Sequence, residues 1–215
     1  MRVCSEKGQG RSFMLLVEDG TFVAAQRLQD ALAKCAKCLI IETGMVRADN
    51  WKVLTSDLKN VMREQGIRQT SIVAIGAAGT LALNMCLLDA KLVRVVALID
   101  SAMRPHSTLL TRCADWLEQF LPLGLPLRLR TSDFDARSLM QRVRCPVLLV
   151  TTPQASEYLL QQSREMSLRF PTAWQVELSE QAYESKLSEI IVEFYEVPAR
   201  APQRRGKSEE KAPSP

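Results

Sequence analysis

A short turn rich in glycine and alanine is the stretch of this sequence best suited to chemistry. Residues Gly76–Thr80 (GAAGT) follow the apolar run Ser71–Ile75 and precede a helical pattern. Such a strand-to-helix turn exposes backbone N–H groups and holds either a nucleophile or the phosphate of a cofactor. The chemistry to consider is therefore acyl transfer or nucleotide binding, and the surrounding side chains must decide between them.

Three side chains beyond the turn are further candidates. Asp100 and Ser101 end the next apolar run, and His106 is the only histidine in the chain. A rewired set of Ser101, His106 and an aspartate could activate a hydroxyl nucleophile. The simpler interpretation, which we favour, is that Ser101 caps a helix and His106 is a solvated side chain.

The cysteines give no metal site in the sequence. Cys35 and Cys38 have the C-x-x-C spacing, but a tetrahedral site needs two more ligands, and the chain has no second C-x-x-C and no pair of histidines. We interpret the six cysteines as reduced, buried or incidental. The sequence therefore predicts neither a metal nor a bound cofactor.

Length and composition indicate one globular domain and a short tail. The chain has 215 residues, 47% of them hydrophobic, and no apolar run of the roughly 18 residues that a membrane span needs. Residues 198–215 are rich in proline and carry +3 of the net charge of +4, so we expect a disordered basic tail. The near-neutral remainder argues against nucleic-acid binding. Without a secretory signal, a cytoplasmic location is the expectation.

Apolar runs and helical patterns alternate along residues 1–197, which predicts an α/β domain with a mostly parallel six-stranded sheet and helices on both faces. A longer apolar segment, about 101–144, breaks the alternation and predicts a short helical lid. The predicted strands are Phe13–Val17, Cys38–Glu42, Ser71–Ile75, Val93–Asp100, Val147–Thr151 and Trp174–Leu178. The predicted helices are Phe22–Ala36, Asn50–Gln65, Thr80–Asp89, Ser156–Phe170 and Tyr183–Val197.

The turn and its neighbours resemble the α/β-hydrolase fold over about residues 12–196. In that family a nucleophile stands on the turn between small residues. Gly76 and Thr80 match the small residues, and the nucleophile position then falls on Ala78, between Ala77 and Gly79. The stretches LLVEDGTF and CPVLLV also resemble the family's oxyanion-turn strand and its late strand.

The groups that the family uses for catalysis are missing from this sequence. Gln154, Ala155 and Ser156 occupy the position of the acid, and the first carboxylate after them is Glu157. The segment SEQAYES, where the histidine should follow Trp174–Leu178, contains none. The resemblance therefore implies a catalytically inactive relative, kept as a binding or protein-interaction module. A protein partner is expected, and a small molecule in the cleft between turn and lid is possible. An esterase or thioesterase with a relocated nucleophile is the alternative.

A weaker resemblance is to dinucleotide-binding Rossmann proteins. The stretch Ala74–Gly79 matches G-x-G-x-x-G except that alanine replaces the first glycine. Gly76 and Gly79 would then approach the pyrophosphate, and Asp100 would bind the ribose. The unit comes third in the chain rather than first, which favours the hydrolase resemblance.

Overall fold

The computed structural model describes residues 1–18, 22–44, 51–102 and 140–196. The predicted tail lies outside these residues, and so do His106 and most of the predicted lid. The described residues form a seven-stranded sheet with helices on both faces. No helix among them is long and apolar enough to cross a bilayer.

The elements alternate as the sequence predicts. The strands are β1 Arg2–Lys7, β2 Ser12–Val17, β3 Lys37–Glu42, β4 Thr70–Ile75, β5 Val93–Ile99, β6 Val147–Thr151 and β7 Ala173–Glu177. The helices are α1 Phe22–Leu32, α2 Trp51–Glu64, α3 Ala78–Leu88, α4 Glu157–Arg169 and α5 Glu180–Glu196, with a 3-10 turn at Met140–Arg142.

The strand order places the glycine turn where the direction in which successive strands are added to the sheet reverses. The order is β1-β3-β2-β4-β5-β6-β7, and every neighbouring pair except β1 with β3 is parallel. After β3 the chain crosses back over β2 to form β4. Ligand sites of open parallel sheets form beside such a switch, at the carboxyl ends of the strands. The turn after β4 therefore lies where this architecture builds its sites.

Two apolar cores cover the sheet. One core joins α2, α3 and α4 to one face, and the other joins α1 and α5 to the opposite face. The central strands are buried along their length, as in β6, where all residues from Val147 to Thr151 are buried. Parallel strands that are covered on both faces have continuous apolar sequences, and for this reason they could be predicted from the sequence.

The strand β1 is absent from the six predicted strands. Its sequence, RVCSEK, has no apolar run, because it is an edge strand with half-buried or exposed side chains. It pairs antiparallel with β3, Arg2 opposite Glu42 and Lys7 opposite Cys38. The sheet is therefore mixed and mostly parallel, and it has one more strand than predicted.

Candidate functional site

The glycine turn is a tight bend between β4 and α3. Gly76 directly follows the last residue of β4 and has a φ of +64°. Its N–H donates to the Ile99 carbonyl at 2.9 Å, and its own carbonyl accepts from the Gly79 N–H at 3.1 Å. Ala77 is already in the right-handed helical conformation. The bend is thus completed within one residue, and Gly76 stands at its tip.

The predicted tip at Ala78 is wrong by two residues. Ala78 is the first residue of α3 and has an exposed fraction of 0%. The sharp, strained conformation of a nucleophile turn belongs to the residue between strand and helix, which here is Gly76. The signal was present in the sequence, because glycine adopts positive φ without strain and Gly76 directly follows the apolar run. The correction leaves the tip without a reactive side chain.

The two glycines of the turn serve different purposes. A Cβ added at Gly76 would meet no atom of the described residues within 4 Å, so none of them packs against the tip. A Cβ added at Gly79 would lie 2.6 Å from the Cβ of Ser101 and closer still to its hydroxyl. Gly76 therefore permits the backbone conformation, whereas Gly79 permits α3 to approach the end of β5.

Ser101 is a packed residue rather than an exposed nucleophile. Its exposed fraction is 5%, and its hydroxyl donates to the Ile99 carbonyl at 3.2 Å. The same hydroxyl lies against Gly79. Thr80 has the one hydroxyl within the turn itself, and it is half-buried in the first turn of α3, where its N–H donates to the Ala77 carbonyl at 3.0 Å. Neither hydroxyl stands at the tip of the bend.

Asp100 connects the ends of β5 and β6. Its carboxylate accepts from the Thr152 N–H at 2.8 Å through Oδ1 and from the Thr152 hydroxyl at 2.5 Å through Oδ2. Asp100 has a φ of +47°, which an aspartate tolerates better than most residues. Both carboxylate oxygens are thus engaged in holding the loop after β6, which leaves them poorly placed to bind a ribose.

The loop after β6 has no acid before Glu157, and the loop after β7 has no histidine. After β6 the residues up to Ser156 are uncharged, and Ser156 caps α4 by accepting from the Leu159 N–H at 3.4 Å. Glu157 is exposed in the first turn of that helix. After β7 only Leu178 and Ser179 precede α5. Residues 154–156 and the segment SEQAYES, chosen from the sequence, do follow the ends of β6 and β7.

The cysteines of the described residues are free thiols. Cys38 is buried in β3, and burial raises its pKa to about 12. Cys35 is exposed in the turn before β3 and donates to the Leu32 carbonyl at 3.2 Å. The buried Cys145 and Cys86 place their sulfur atoms 3.6 Å apart. Across the described part of the chain, no three His, Cys, Asp or Glu side chains are grouped to hold a metal ion.

The topology differs from that of dinucleotide-binding proteins. In the usual Rossmann order the glycine turn follows the first strand of the parallel series. Here it follows β4, with β2 and β3 before it in the chain and on one side of it in the sheet. Together with the engaged carboxylate of Asp100, this arrangement disfavours the cofactor alternative.

Solved structures resemble this chain over most of its length. An enol-lactonase from Burkholderia xenovorans LB400 is 17% identical with a TM-score of 0.67, covering 89% of this chain and 95% of that one. MenH from S. aureus is 12% identical with a TM-score of 0.65, covering 90% and 98%. MGS-M2, an α/β hydrolase enzyme from a Medee basin deep-sea metagenome library, is 11% identical with a TM-score of 0.70, covering 93% and 95%. No protein-family model and no curated protein matches the sequence.

Proposed function

The chain has the α/β-hydrolase fold, and we propose that it is a catalytically inactive form of that fold, kept as a binding module for a protein partner. The observation that carries the proposal is Gly76 at the tip of the bend. In this fold the tip presents the nucleophile. A glycine there has no atom that can attack a carbonyl.

The other two catalytic positions support the same conclusion. The loop after β6 has no carboxylate before the exposed Glu157, and the two residues between β7 and α5 include no histidine. A hydroxyl nucleophile needs a neighbouring base to take its proton, and a third group to orient that base. With all three groups missing, replacing the nucleophile alone would not restore catalysis, because no base would be present to take its proton.

The carboxyl edge of the sheet still offers a binding surface. No atom of the described residues lies within 4 Å of a Cβ placed at Gly76, so none of them covers the tip. Val23 and Val53 lie in the first turns of α1 and α2, which begin at this same edge, and their exposed fractions are 66% and 59%. Exposed apolar side chains at the edge where a parallel sheet builds its sites favour a protein partner over a small polar ligand.

The loss of activity is tested with short-chain nitrophenyl esters and a fluorophosphonate probe. The purified full-length protein should show no turnover above buffer and no covalent labelling. Turnover or labelling that disappears on changing Ser101→Ala or Thr80→Ala would show a relocated nucleophile and defeat the proposal. Activity that survives both changes points to a contaminating esterase, which repurification through a second affinity tag removes.

The binding role is tested by cross-linking partners to the carboxyl edge. The variant carrying Val23→Asp and Val53→Asp should lose the partners that the wild-type protein captures. Leu168→Asp is the matched control, because Leu168 has an exposed fraction of 87% on α4, away from the amino-terminal ends of α1 and α2. Equal loss in both variants would contradict a partner site at this edge. A rise in melting temperature with NAD(P) or acyl-CoA would instead favour the cofactor alternative.

A further inference from the structure

A polar pocket lies at the opposite edge of the sheet, where β2, β4 and β5 begin. Its volume is about 290 Å³. The side chains that matter for its chemistry are Arg11, Ser12, Thr70, Ser71, Arg94 and Tyr195. Because the parallel strands run away from this edge, the pocket is separated from the bend at Gly76 by the length of β4.

Two buried hydroxyl groups line the pocket. Ser71 and Tyr195 have exposed fractions of 1% and 6%; the Ser71 hydroxyl has no hydrogen-bond partner among the described residues, and the Tyr195 hydroxyl interacts with the Arg11 side chain. The neighbouring hydroxyls are satisfied, since Ser12 donates to the Gln69 carbonyl at 3.0 Å and Thr70 donates to the Ser12 carbonyl at 3.1 Å. An unsatisfied buried hydroxyl costs about 1–3 kcal/mol, so the Ser71 hydroxyl in this pocket calls for an occupant.

The pocket carries uncompensated positive charge. The Arg94 guanidinium carbon lies 5.1 Å from the centre of the Tyr195 ring, so this arginine is held against the pocket wall. Within the described part of the chain, neither Arg94 nor Arg11 forms an ion pair with a carboxylate. Burial raises the pKa of Tyr195 despite both arginines, so its hydroxyl keeps the proton that it would donate.

The sheet is irregular at the pocket wall. Thr70 pairs with Val93, and Ile72 pairs with Val96, so Ser71 on β4 is opposed by both Arg94 and Val95 on β5. Such a bulge leaves one residue without a ladder partner and re-aims its side chain, and bulges are common beside functional sites. The bulge therefore falls between the serine and the arginine that line the pocket.

We infer that this pocket binds a phosphate group, free or carried as the monoester of a small molecule. A phosphate dianion matches the charge of two guanidinium groups, and its oxygens can accept from both arginines and from the Ser71 and Tyr195 hydroxyls together. A carboxylate has one charge and two oxygens, so it would leave donors unmatched. The inference is independent of the proposed function, because no residue of the bend takes part.

The test is calorimetric titration of the full-length protein with inorganic phosphate and with glycerol phosphate. Control titrations use acetate or chloride in place of the phosphate compounds, at matched ionic strength. We expect saturable binding of phosphate, and Arg94→Met should weaken it at least tenfold and Tyr195→Phe several-fold. Tighter binding of glycerol phosphate identifies an ester ligand, whereas binding of inorganic phosphate alone identifies the free ion. Arg63→Met, which removes an exposed arginine of α2, should leave the affinity unchanged.

The stability of the same variants without ligand provides a second readout. Ser71→Ala should be at least as stable as the wild-type protein in phosphate-free buffer, because it removes an unsatisfied buried group. In phosphate, Ser71→Ala and Tyr195→Phe should both lose the ligand-dependent rise in melting temperature. The inference is overturned if phosphate gives no saturable signal, if acetate binds as well as phosphate, or if Arg94→Met binds like the wild-type protein.

Discussion

Gly79 and Ser101 touch across the interface between α3 and the end of β5, with no room for a side chain at residue 79. A methyl group there would lie 2.6 Å from the Ser101 Cβ. Alanine improves the intrinsic helix propensity by about 1 kcal/mol, but overpacking costs about 1–3 kcal/mol. We expect Gly79→Ala to lower the free energy of unfolding by about 1 kcal/mol, measured by urea denaturation.

A second substitution checks that this contact is the cause. Ser101→Gly removes the side chain that Gly79→Ala would meet. The double variant should therefore lose less stability than the sum of the two single variants. If the two losses simply add, the close approach of helix and strand is not what Gly79 provides.

Gly76→Ser would restore an oxygen at the tip of the bend. No atom of the described residues lies within 4 Å of its Cβ, but a residue with a Cβ at a φ of +64° costs about 1–2 kcal/mol. Gly66→Ser is the matched control, since Gly66 has the same φ and equally open surroundings. Both variants should lose similar stability by urea denaturation. We expect Gly76→Ser to remain unlabelled by fluorophosphonate, and labelling would reveal a base beside the tip.

Thr152→Val should loosen the loop after β6. The change keeps the shape of the side chain but removes the hydroxyl that donates to the Asp100 carboxylate. A hydrogen bond to a charged group is worth about 1.5–3 kcal/mol, so we expect a loss of that order in chemical denaturation. Thr152→Ser retains the donor and should lose less. Equal losses would mean that the methyl group, and not the hydroxyl, is what matters at this position.

The raised pKa of Cys38 predicts a loss of stability at alkaline pH. Burial raises its pKa from 9.0 to about 12, so the unfolded chain releases this proton before the folded protein does. The contribution of this shift to the free energy of unfolding is complete below pH 9. It is lost as the pH rises towards 12, at up to about 1.4 kcal/mol per pH unit. Cys38→Val should lose less stability over this range than the wild-type protein, measured by urea denaturation at each pH. Parallel curves for the two proteins would contradict the shift.

The architecture was largely predictable because its strands are buried on both faces. Val147–Thr151 is an unbroken apolar run until its last residue, and the structure gives the same bounds. The edge strand Arg2–Lys7 has no such signal, because its half-buried side chains follow no continuous apolar pattern. Burial, more than strand propensity, is what made each strand visible in the sequence.

The functional sites were harder to locate. The turn itself was predicted, but the family pattern was placed on GAAGT with Ala78 at the tip, and the weaker signal of a glycine directly after the apolar run gave the register that the φ of Gly76 shows. The polar pocket could not be anticipated, because Arg11, Ser71, Arg94 and Tyr195 are distant in the chain and individually ordinary. They meet only because parallel strands begin at a common edge and α5 ends beside it.

The steric role of Gly79 has a consequence for how such proteins are recognised in genomes. Tight contact between helix and strand requires a residue without a side chain here whether or not any reaction takes place nearby. A glycine signature at such a turn therefore reports packing as readily as chemistry. An enzymatic role assigned from that signature alone would rest on a steric requirement and not on a reacting group.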